Sequence, residues 1–163
     1  MKYLNLPEDI ELHIQSKEMS DMEREDFLSN FVPNPNKTHV GLLIIGGAFG
    51  EGIDLVSDRL IGLAIVGTGI GKINYESNKI ALYHENEGLD GYNYAYLYPG
   101  MNKVMQAVGR LIRSEEDKGV ALLMEQRYCT SEYRSLFKKE WDHYEVVYST
   151  DDITSSLEKF FKN

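Results

Sequence analysis

The sequence has little cysteine, a deficit of positive charge and no long apolar run. Cys129 is the only cysteine, which excludes an internal disulfide framework and cannot by itself hold zinc or an iron–sulfur cluster. No apolar stretch approaches the length needed to cross a bilayer, and the N-terminus lacks a signal-peptide pattern. We therefore expect a protein of the reducing cytoplasm that has no membrane partner.

The charge balance is acidic, with 17 basic residues, 26 acidic residues and a net charge of −9 at pH 7. Proteins that bind nucleic acids usually carry a basic surface, because neutralised phosphates supply most of the nonspecific affinity. The acidity is uneven, since residues 1–30 contain eight acidic and three basic residues, whereas residues 103–118 are slightly basic. The isolated chain is therefore expected to bind DNA weakly.

Patterns that bind metal ions are also missing from the sequence. No acidic magnesium box is present, and the four histidines are scattered without the spacing of metal ligands. We interpret each histidine as a structural or surface residue, and we expect no metal in this chain. These residues are His13, His39, His84 and His143.

A glycine-rich stretch at 67–73 superficially suggests a phosphate-binding P-loop. A P-loop has four residues between its glycines and a Ser or Thr after its lysine. Here three residues separate Gly67 from Gly71, and Ile73 follows Lys72. Because isoleucine cannot bind magnesium, we expect this stretch to be an ordinary loop.

The 163 residues, 42% of them hydrophobic, are enough for one globular domain. Strands and helices alternate along the chain, which favours a parallel sheet with helices on both faces. We expect strands at 10–15, 40–45, 60–66, 119–124 and 144–148. We expect helices at 20–31, 74–87, from Pro99 onward, at 131–141 and at 151–161. Tyr75, Ile80, Leu82 and Tyr83 are the expected buried residues of the second helix.

Three local patterns refine these expectations. Ser20 and Glu23 fit a capping box at the start of the first helix. Thr150 or Asp151 is expected to cap the last helix. Four tyrosines alternate between residues 92 and 98, along a segment that we expect to be irregular or extended, and their rings lie on one side if the segment is extended. Packing over the domain is favoured for these rings, and stacking on bases is the alternative.

The segment 106–113 carries one amide and two guanidinium groups. If the segment is helical, Gln106, Arg110 and Arg113 share one face, because they lie at i, i+4 and i+7. Gly109 has no side chain, so a ligand can come close to the face that carries these polar groups. Two guanidinium forks one turn apart can bracket a transferring phosphoryl group, as arginine fingers do. The alternative is a solvated amphipathic helix with surface arginines. The interleaved apolar stripe is Val104, Val108, Leu111 and Ile112.

A second motif, at 46–54, follows the apolar run 40–45, which is typical of a buried parallel strand. Four glycines in seven residues leave backbone amides bare, so a phosphate, a ribose or a neighbouring loop can come close. The candidate binding residues in this segment are Gly50, Glu51, Gly52 and Asp54.

The pattern Gln-x-x-Gly-Arg-x-x-Arg at 106–113 is similar to the sixth conserved motif of superfamily 2 helicases. The segment 46–54 resembles the fifth motif, where Phe-Ser-Glu-Gly-Ile-Asp is usual and Gly50 here replaces the Ser. The continuation resembles the XPD/DinG branch of DNA repair helicases, although Glu125 and Tyr128 stand where Asp and Phe are usual. That continuation comprises Ser114, Asp117, Gly119, the apolar run 120–124 and residues 125–128.

The resemblance implies that residues 1–163 are the C-terminal, second RecA-like domain of an XPD/DinG-type helicase. It implies a RecA-like (P-loop NTPase-type) three-layer α/β domain with a mainly parallel sheet and no P-loop of its own. The family domain normally begins with another buried strand, which residues 1–9 are too short and polar to supply. We therefore expect a truncation at the N-terminal edge.

The resemblance also implies a cofactor, partners and residue roles. ATP with Mg²⁺ would be held mainly by a missing first RecA-like domain of the same protein, and single-stranded DNA would be the other partner. Arg110 and Arg113 would reach the β- and γ-phosphates, and Gln106 would lie near the phosphate or the attacking water. Gly52 and Asp54 would lie at the ribose and at the hinge between ATP and DNA contacts, and Glu51 would support that loop. Gly50 and Gly109 are the other candidate cofactor-binding residues.

Two other functions stay open at this stage. One is a noncatalytic RecA-like module that binds a partner or a nucleic acid. The other is a free-standing nucleotide-binding protein that uses the loop 67–72. An upstream P-loop and magnesium box would favour the helicase domain over the first alternative, whereas ATP binding by this chain alone would favour the second.

Overall fold

The computed structural model describes residues 6–47, 49, 55, 59–112 and 116–162. The strands are β1 (Ile10–Ile14), β2 (Thr38–Leu42), β3 (Gly62–Val66) and β4 (Val120–Met124). The α-helices are α1 (Asp21–Ser29), α2 (Tyr75–Asn86), α3 (Tyr98–Val108), α4 (Ser131–Arg134) and α5 (Thr150–Lys162). Backbone contacts divide the chain into two compact units, Met1–Met124 and Glu125–Asn163. The expectation of one domain over 1–163 stays a prediction.

The first unit contains two pairs of parallel strands. β1 pairs with β2, with Ile10 opposite Thr38, and β3 pairs with β4, with Gly62 opposite Val120. Each pair is joined through at least one helix, as parallel strands require. The expected α/β class with parallel strands is therefore present.

Helix α1 packs on the β1–β2 pair through aromatic side chains. A Cβ atom on Gly41 of β2 would lie 2.9 Å from Phe31 and 3.3 Å from Phe27, so the glycine leaves room for both rings. Phe27 is buried in a cluster with Phe49 and Leu55. This cluster joins α1 to the segment that follows β2.

Side chains form hydrogen bonds with backbone groups at both ends of α1. The predicted capping box is confirmed, because the Ser20 hydroxyl accepts from the Glu23 backbone and the Glu23 carboxylate accepts from the Ser20 backbone. The Ser20 backbone N–H and, to a smaller extent, its hydroxyl donate to the Glu23 carboxylate and lower the pKa of Glu23. At the other end, the Arg59 guanidinium donates to the carbonyl oxygens of Phe31 at 2.6 Å and Leu28 at 3.3 Å. Arg59 thus takes the place of backbone donors that the helix end lacks.

Strand β2 begins and ends earlier than the predicted 40–45. Its last paired residue is Leu42, because the backbone N–H of Ile44 donates to the side chain of Gln15 instead of to another strand. Ile44 is 60% exposed, so the expectation of a fully buried strand is wrong here.

The second pair of strands lies with the helices α2 and α3 in the same unit. The deepest residues of the described chain are Leu97, Met101 and Val104, all on or next to α3. Helix α2 forms where predicted and is capped by the Asn74 side chain. Its expected buried residues are wrong, since Tyr75 is 74% exposed and Ile80 is 48% exposed. Leu82 and Tyr83 are exposed as well.

The tyrosine-rich segment is helical and not extended, which corrects the prediction. Asn93–Leu97 forms a π-helical turn that continues into α3. The four rings therefore pair at i and i+4, with centroids 5.5 Å apart for Tyr92 and Tyr96 and 5.2 Å apart for Tyr94 and Tyr98. Alternating tyrosines are compatible with both geometries, and the buried side chain of Leu97 favours the helix.

The second unit contains the short helix α4, two 3₁₀ turns and the longer helix α5. The predicted helix 131–141 is wrong in length, because α4 ends at Arg134 and a separate 3₁₀ turn spans Lys139–Trp141. No strand forms at 144–148 within the described residues, and Tyr148 is 90% exposed. Instead, the ring of Phe137 packs against Trp141 and Tyr144 at 5.5 and 5.8 Å. These contacts hold the segment in an irregular conformation.

Helix α5 is longer than predicted, and its cap differs from the predicted one. The carboxylate of Asp152 accepts from the backbone of Tyr148 and Ser149, and the Ser149 hydroxyl accepts from the Asp152 backbone. Ser149, and not Thr150 or Asp151, is therefore the capping residue. No described helix is long and apolar enough to cross a membrane.

Candidate functional site

The Gln-Arg motif is the segment 106–113. Helix α3 carries its glutamine, Gln106, and ends before its first arginine, Arg110. Gln106 is exposed on the last turn, and Gly109 is the C-terminal cap. Arg110 and Leu111 follow in a tighter turn, with backbone bonds to Ala107 at 3.2 Å and to Val108 at 3.0 Å. The expectation of one helix carrying the whole motif is therefore wrong at Arg110, because the backbone changes from α-helical to 3₁₀-type bonding at Gly109. Arg113 lies outside the described residues.

The apolar stripe of this segment fixes its orientation. Val104 is fully buried and Leu111 is 4% exposed, as expected for a stripe that packs on the core. Val108 is half-buried, and Ile112 is 49% exposed, so the predicted stripe fails at its last residue. Gln106 is exposed and Arg110 is half-buried, so both polar side chains reach solvent while Val104 and Leu111 are buried in the core.

The first glycine of the glycine-rich motif lies against α3. Gly46 has φ of +71°, and a Cβ atom there would lie 2.9 Å from Cδ of Lys103. A side chain at this position would meet both backbone strain and the lysine. Lys103 is one helical turn before Gln106, so the start of the motif and the Gln-Arg helix lie side by side. This proximity is the main geometric finding about the two motifs.

Gln15 holds the loop that leads into the glycine-rich motif. Its backbone N–H donates to Leu42 at 2.9 Å, and its side-chain Oε1 accepts from the backbone of Ile44, also at 2.9 Å. The Nε2 atom of the same amide would lie 3.5 Å from a Cβ on Gly47. Gln15 therefore positions the loop at the carboxyl ends of β1 and β2, where ligands of parallel sheets bind.

Sequence reasoning did not identify Gln15 or Lys103 as site residues. The available signal was a polar side chain directly after the first strand and a lysine one turn before Gln106. Neither signal is specific without the contacts described above. The structure therefore adds the amide of Gln15 and the ammonium group of Lys103 to the candidate site.

The remaining candidates of the glycine-rich motif are not tested by the structure. Gly50, Glu51, Gly52 and Asp54 lie outside the described residues, and their predicted roles stay predictions. Phe49 and Leu55, which flank them in sequence, are buried at 5% and 8% exposure. Both side chains belong to the aromatic cluster around Phe27.

The continuation of the motif forms a local hydrogen-bonded turn in the second unit. Glu125 accepts from the Arg127 backbone at 3.5 Å and from its guanidinium at 3.3 Å. The hydrogen bonds from Arg127 lower the pKa of Glu125. Tyr128 is buried, and burial raises its pKa to about 12, with smaller contributions from the neighbouring Tyr133 phenol and Glu125 carboxylate. Glu125 thus caps this turn, and Tyr128 anchors it.

The site residues are chemically suited to a polyanion. The described groups are the amides of Gln15 and Gln106, the ammonium of Lys103, the guanidinium of Arg110 and the backbone around Gly46. All of these groups can donate hydrogen bonds, and two are permanently cationic at neutral pH.

Comparisons with known proteins agree with the motif pattern. The model of the helicase C-terminal domain family matches residues 2–144. A probable ATP-dependent helicase of Methanocaldococcus jannaschii is 27% identical, over 93% of this chain and 25% of the relative. A 3′-5′ exonuclease DinG of Staphylococcus saprophyticus is 28% identical, over 67% of this chain and 12% of the relative. The chain therefore spans a quarter or less of the length of these relatives.

Proposed function

Because the chain belongs to the helicase C-terminal domain family, of the XPD/DinG type, we propose that it works as the second RecA-like motor domain of an ATP-dependent DNA helicase. The observation that carries this proposal is the contact between Gly46 and Lys103, one turn before Gln106. It brings the beginning of one helicase motif next to the helix of the other. Two segments that are far apart in sequence thus contribute to one polar surface.

ATP with Mg²⁺, held mainly by a first RecA-like domain, supplies the phosphoryl group whose transfer drives the motor. Arg110 and Arg113 donate hydrogen bonds to phosphate oxygens and stabilise the charge that develops there. Gln106 orients a phosphate oxygen or the attacking water. Lys103 adds a point charge beside the glycine-rich loop, which raises the local attraction for an anion.

The glycine-rich motif connects nucleotide and DNA. In this proposal Gly52 and Asp54 would serve the ribose and the hinge between ATP and DNA contacts, and Glu51 would support that loop. Gly50 and Gly109 are the further cofactor-binding candidates. Single-stranded DNA binds mainly through backbone amides and helix N-termini, which is compatible with an acidic chain. Opening and closing of the interdomain cleft then moves the strand.

The test compares this chain alone with the full-length protein that contains a P-loop domain. We expect DNA-stimulated ATP turnover in the full-length protein and none in the 163-residue chain, because arginine fingers act on a phosphate that another domain holds. Robust turnover by the isolated chain would contradict the proposal. A full-length protein without a P-loop, which binds DNA or a partner but does not hydrolyse ATP, would identify the noncatalytic module instead.

A further inference from the structure

Three potential metal ligands meet on one face of the β1–β2 pair. His39 of β2 lies opposite Glu11 of β1 in the strand register, and His13 is two residues further along β1. Side chains at these positions point to the same face of the sheet. The Nε2 atom of His13 lies 2.9 Å from the Nδ1 atom of His39, and one ligand atom from each of the three residues lies within 4.8 Å of the others.

We propose that Glu11, His13 and His39 bind a divalent transition-metal ion of the Zn²⁺ class. Zinc binds imidazole nitrogen and carboxylate oxygen at about 2.0–2.2 Å, so two of its ligand atoms lie roughly 3–4 Å apart. The two imidazole nitrogens lie 2.9 Å apart and one ligand atom from each of the three residues lies within 4.8 Å of the others, so the observed spacings bracket this range. Two nitrogens and one oxygen leave a fourth position for water.

The protein fixes the two imidazoles before an ion arrives. The His13 ring lies 5.9 Å from Phe27 and 5.5 Å from Phe31, and the His39 ring lies 6.2 Å from Phe31. The two imidazoles are nearly parallel to each other, with an angle of 18° between their planes. Because strands and aromatic rings hold both imidazoles, binding requires little ordering of side chains.

The choice of ion follows from the ligand atoms. Imidazole nitrogens suit Zn²⁺, Cu²⁺, Ni²⁺ and Co²⁺, whereas Mg²⁺ and Ca²⁺ prefer oxygen ligands. The carboxylate of Glu11 also supplies one negative charge against the charge of the ion. The site is separate from the Gln-Arg motif and does not depend on the proposed motor function.

A hydrogen bond between the two histidines is the competing explanation of the 2.9 Å distance. One neutral imidazole can donate to the other, and such a pair needs no metal. The carboxylate distinguishes the two explanations, because it contributes to a metal site but not to the bond between the two imidazoles. Glu11→Gln is therefore the most informative variant, and since Glu11 is exposed the fold should tolerate it.

The experiment uses the purified 163-residue chain without an affinity tag. Equilibrium dialysis against ZnCl₂, followed by metal analysis, should give one ion per chain, and excess Mg²⁺ should not displace it. Zinc should raise the melting temperature, because an ion that binds the folded state stabilises it. The Co²⁺ form should show absorption typical of nitrogen and oxygen ligands, without a thiolate charge-transfer band.

Variants identify the ligands. His13→Gln and His39→Gln should each weaken zinc binding at least about tenfold, and Glu11→Gln should weaken it measurably. His143→Gln and Cys129→Ser are matched controls, because both residues are exposed, and they should leave binding unchanged. Circular dichroism establishes that each variant is folded. The proposal is wrong if no ion binds, if Glu11→Gln and the histidine variants bind like the original chain, or if Cys129→Ser abolishes binding.

Discussion

Gly69 and Gly100 bring two backbones together so closely that a Cβ atom on Gly69 would lie 2.6 Å from the carbonyl oxygen of Gly100. Reciprocally, a Cβ on Gly100 would lie 2.8 Å from the carbonyl oxygen of Thr68, which is buried. The loop after β3 thus packs against the start of α3. This contact gives Gly69 of the P-loop-like stretch a packing role and supports the interpretation of 67–73 as an ordinary loop.

The contact predicts a graded effect of alanine substitutions in this loop. Gly69→Ala should destabilise the protein most, by about 2 kcal/mol or more, because φ of +69° and the short contact both oppose a side chain. Gly67→Ala should cost about 1–2 kcal/mol, because φ is +87° but no atom lies within 4 Å. Gly71→Ala has neither obstacle and is the matched control.

Urea unfolding of the three variants measures these differences. An unfolding free energy for Gly69→Ala equal to that of Gly71→Ala would contradict the packing role. All three variants should leave ATP turnover of the full-length protein intact wherever the protein is folded. A selective loss of ATP binding in Gly71→Ala, without loss of stability, would instead support a nucleotide-binding loop.

The start of α1 could be predicted from local signals, because the capping box of Ser20 and Glu23 involves residues three apart and its geometry follows from the helix itself. The cap of α2 by Asn74 was not predicted, and α5 is capped by Ser149 instead of Thr150 or Asp151. The four described parallel strands also formed near their predicted positions, because short apolar runs between turn residues indicate buried strands. The strand end at Leu42 was missed, since it depends on Gln15, which is far away in sequence.

Long-range proximity could not be predicted from the sequence. His13 and His39 are 26 residues apart and meet only because β1 and β2 pair in one particular register. Gly46 and Lys103 meet through packing between a loop and a helix. The conformation of the tyrosine segment 92–98 was predicted wrongly for a different reason. Tyrosines at every second residue fit both the alternation of an extended segment and the i, i+4 pairing of a helix. In each case tertiary contacts select among arrangements that the sequence leaves open.

The raised pKa of Tyr128 predicts how alkaline pH affects the second unit. Burial keeps this phenol protonated up to a pKa of about 12, compared with the ordinary value of 10.0. The folded state therefore binds the proton more tightly than the unfolded state, so this contribution to stability is complete below pH 10. It should be lost as the pH rises from 10 towards 12.

Ultraviolet absorbance of tyrosinate measures this titration. The absorbance titration curves of the original chain and of Tyr128→Phe should differ by one phenol, which ionises near pH 12 or together with unfolding. Tyr148→Phe is the control, because Tyr148 is 90% exposed. If the phenol of Tyr128 ionises near pH 10 in folded protein, the side chain is not buried as described.

The two arginines of the Gln-Arg motif should contribute to hydrolysis more than to ATP binding. In the full-length protein, Arg110→Ala or Arg113→Ala should reduce the ATPase rate on the order of 10³-fold. Arg→Lys at either position should also reduce it, because lysine lacks the bidentate fork. Arg24→Ala is the control, since Arg24 lies on α1, outside the Gln-Arg motif, and pairs with the exposed Asp21 at 3.1 Å.

Steady-state turnover and nucleotide binding are measured on the same preparations. A reduced rate with nearly unchanged ATP affinity supports arginine fingers. If both alanine variants hydrolyse ATP at the original rate, the arginines are surface residues and the assignment is wrong. A lowered melting temperature without a change in rate would give Arg110 a purely structural role.

Asp54 should couple DNA binding to ATP hydrolysis. It is the last acidic residue of the glycine-rich motif, and the proposal gives it the hinge between nucleotide and DNA. In the full-length protein, Asp54→Ala should therefore reduce the stimulation of ATPase by single-stranded DNA, while ATP turnover without DNA changes little. Asp142→Ala is the control, because Asp142 is exposed in the second unit.

A cap of the following turn is the alternative role of this carboxylate, and its loss would then cost about 1 kcal/mol of stability. The two roles differ in what Asp54→Asn does. Asparagine also caps turns well, so it should restore the melting temperature if Asp54 is only a cap. If coupling requires the negative charge, Asp54→Asn should remain defective in DNA stimulation even though the domain is fully stable. A lower melting temperature of Asp54→Ala, together with unchanged DNA stimulation in both variants, would remove Asp54 from the functional site.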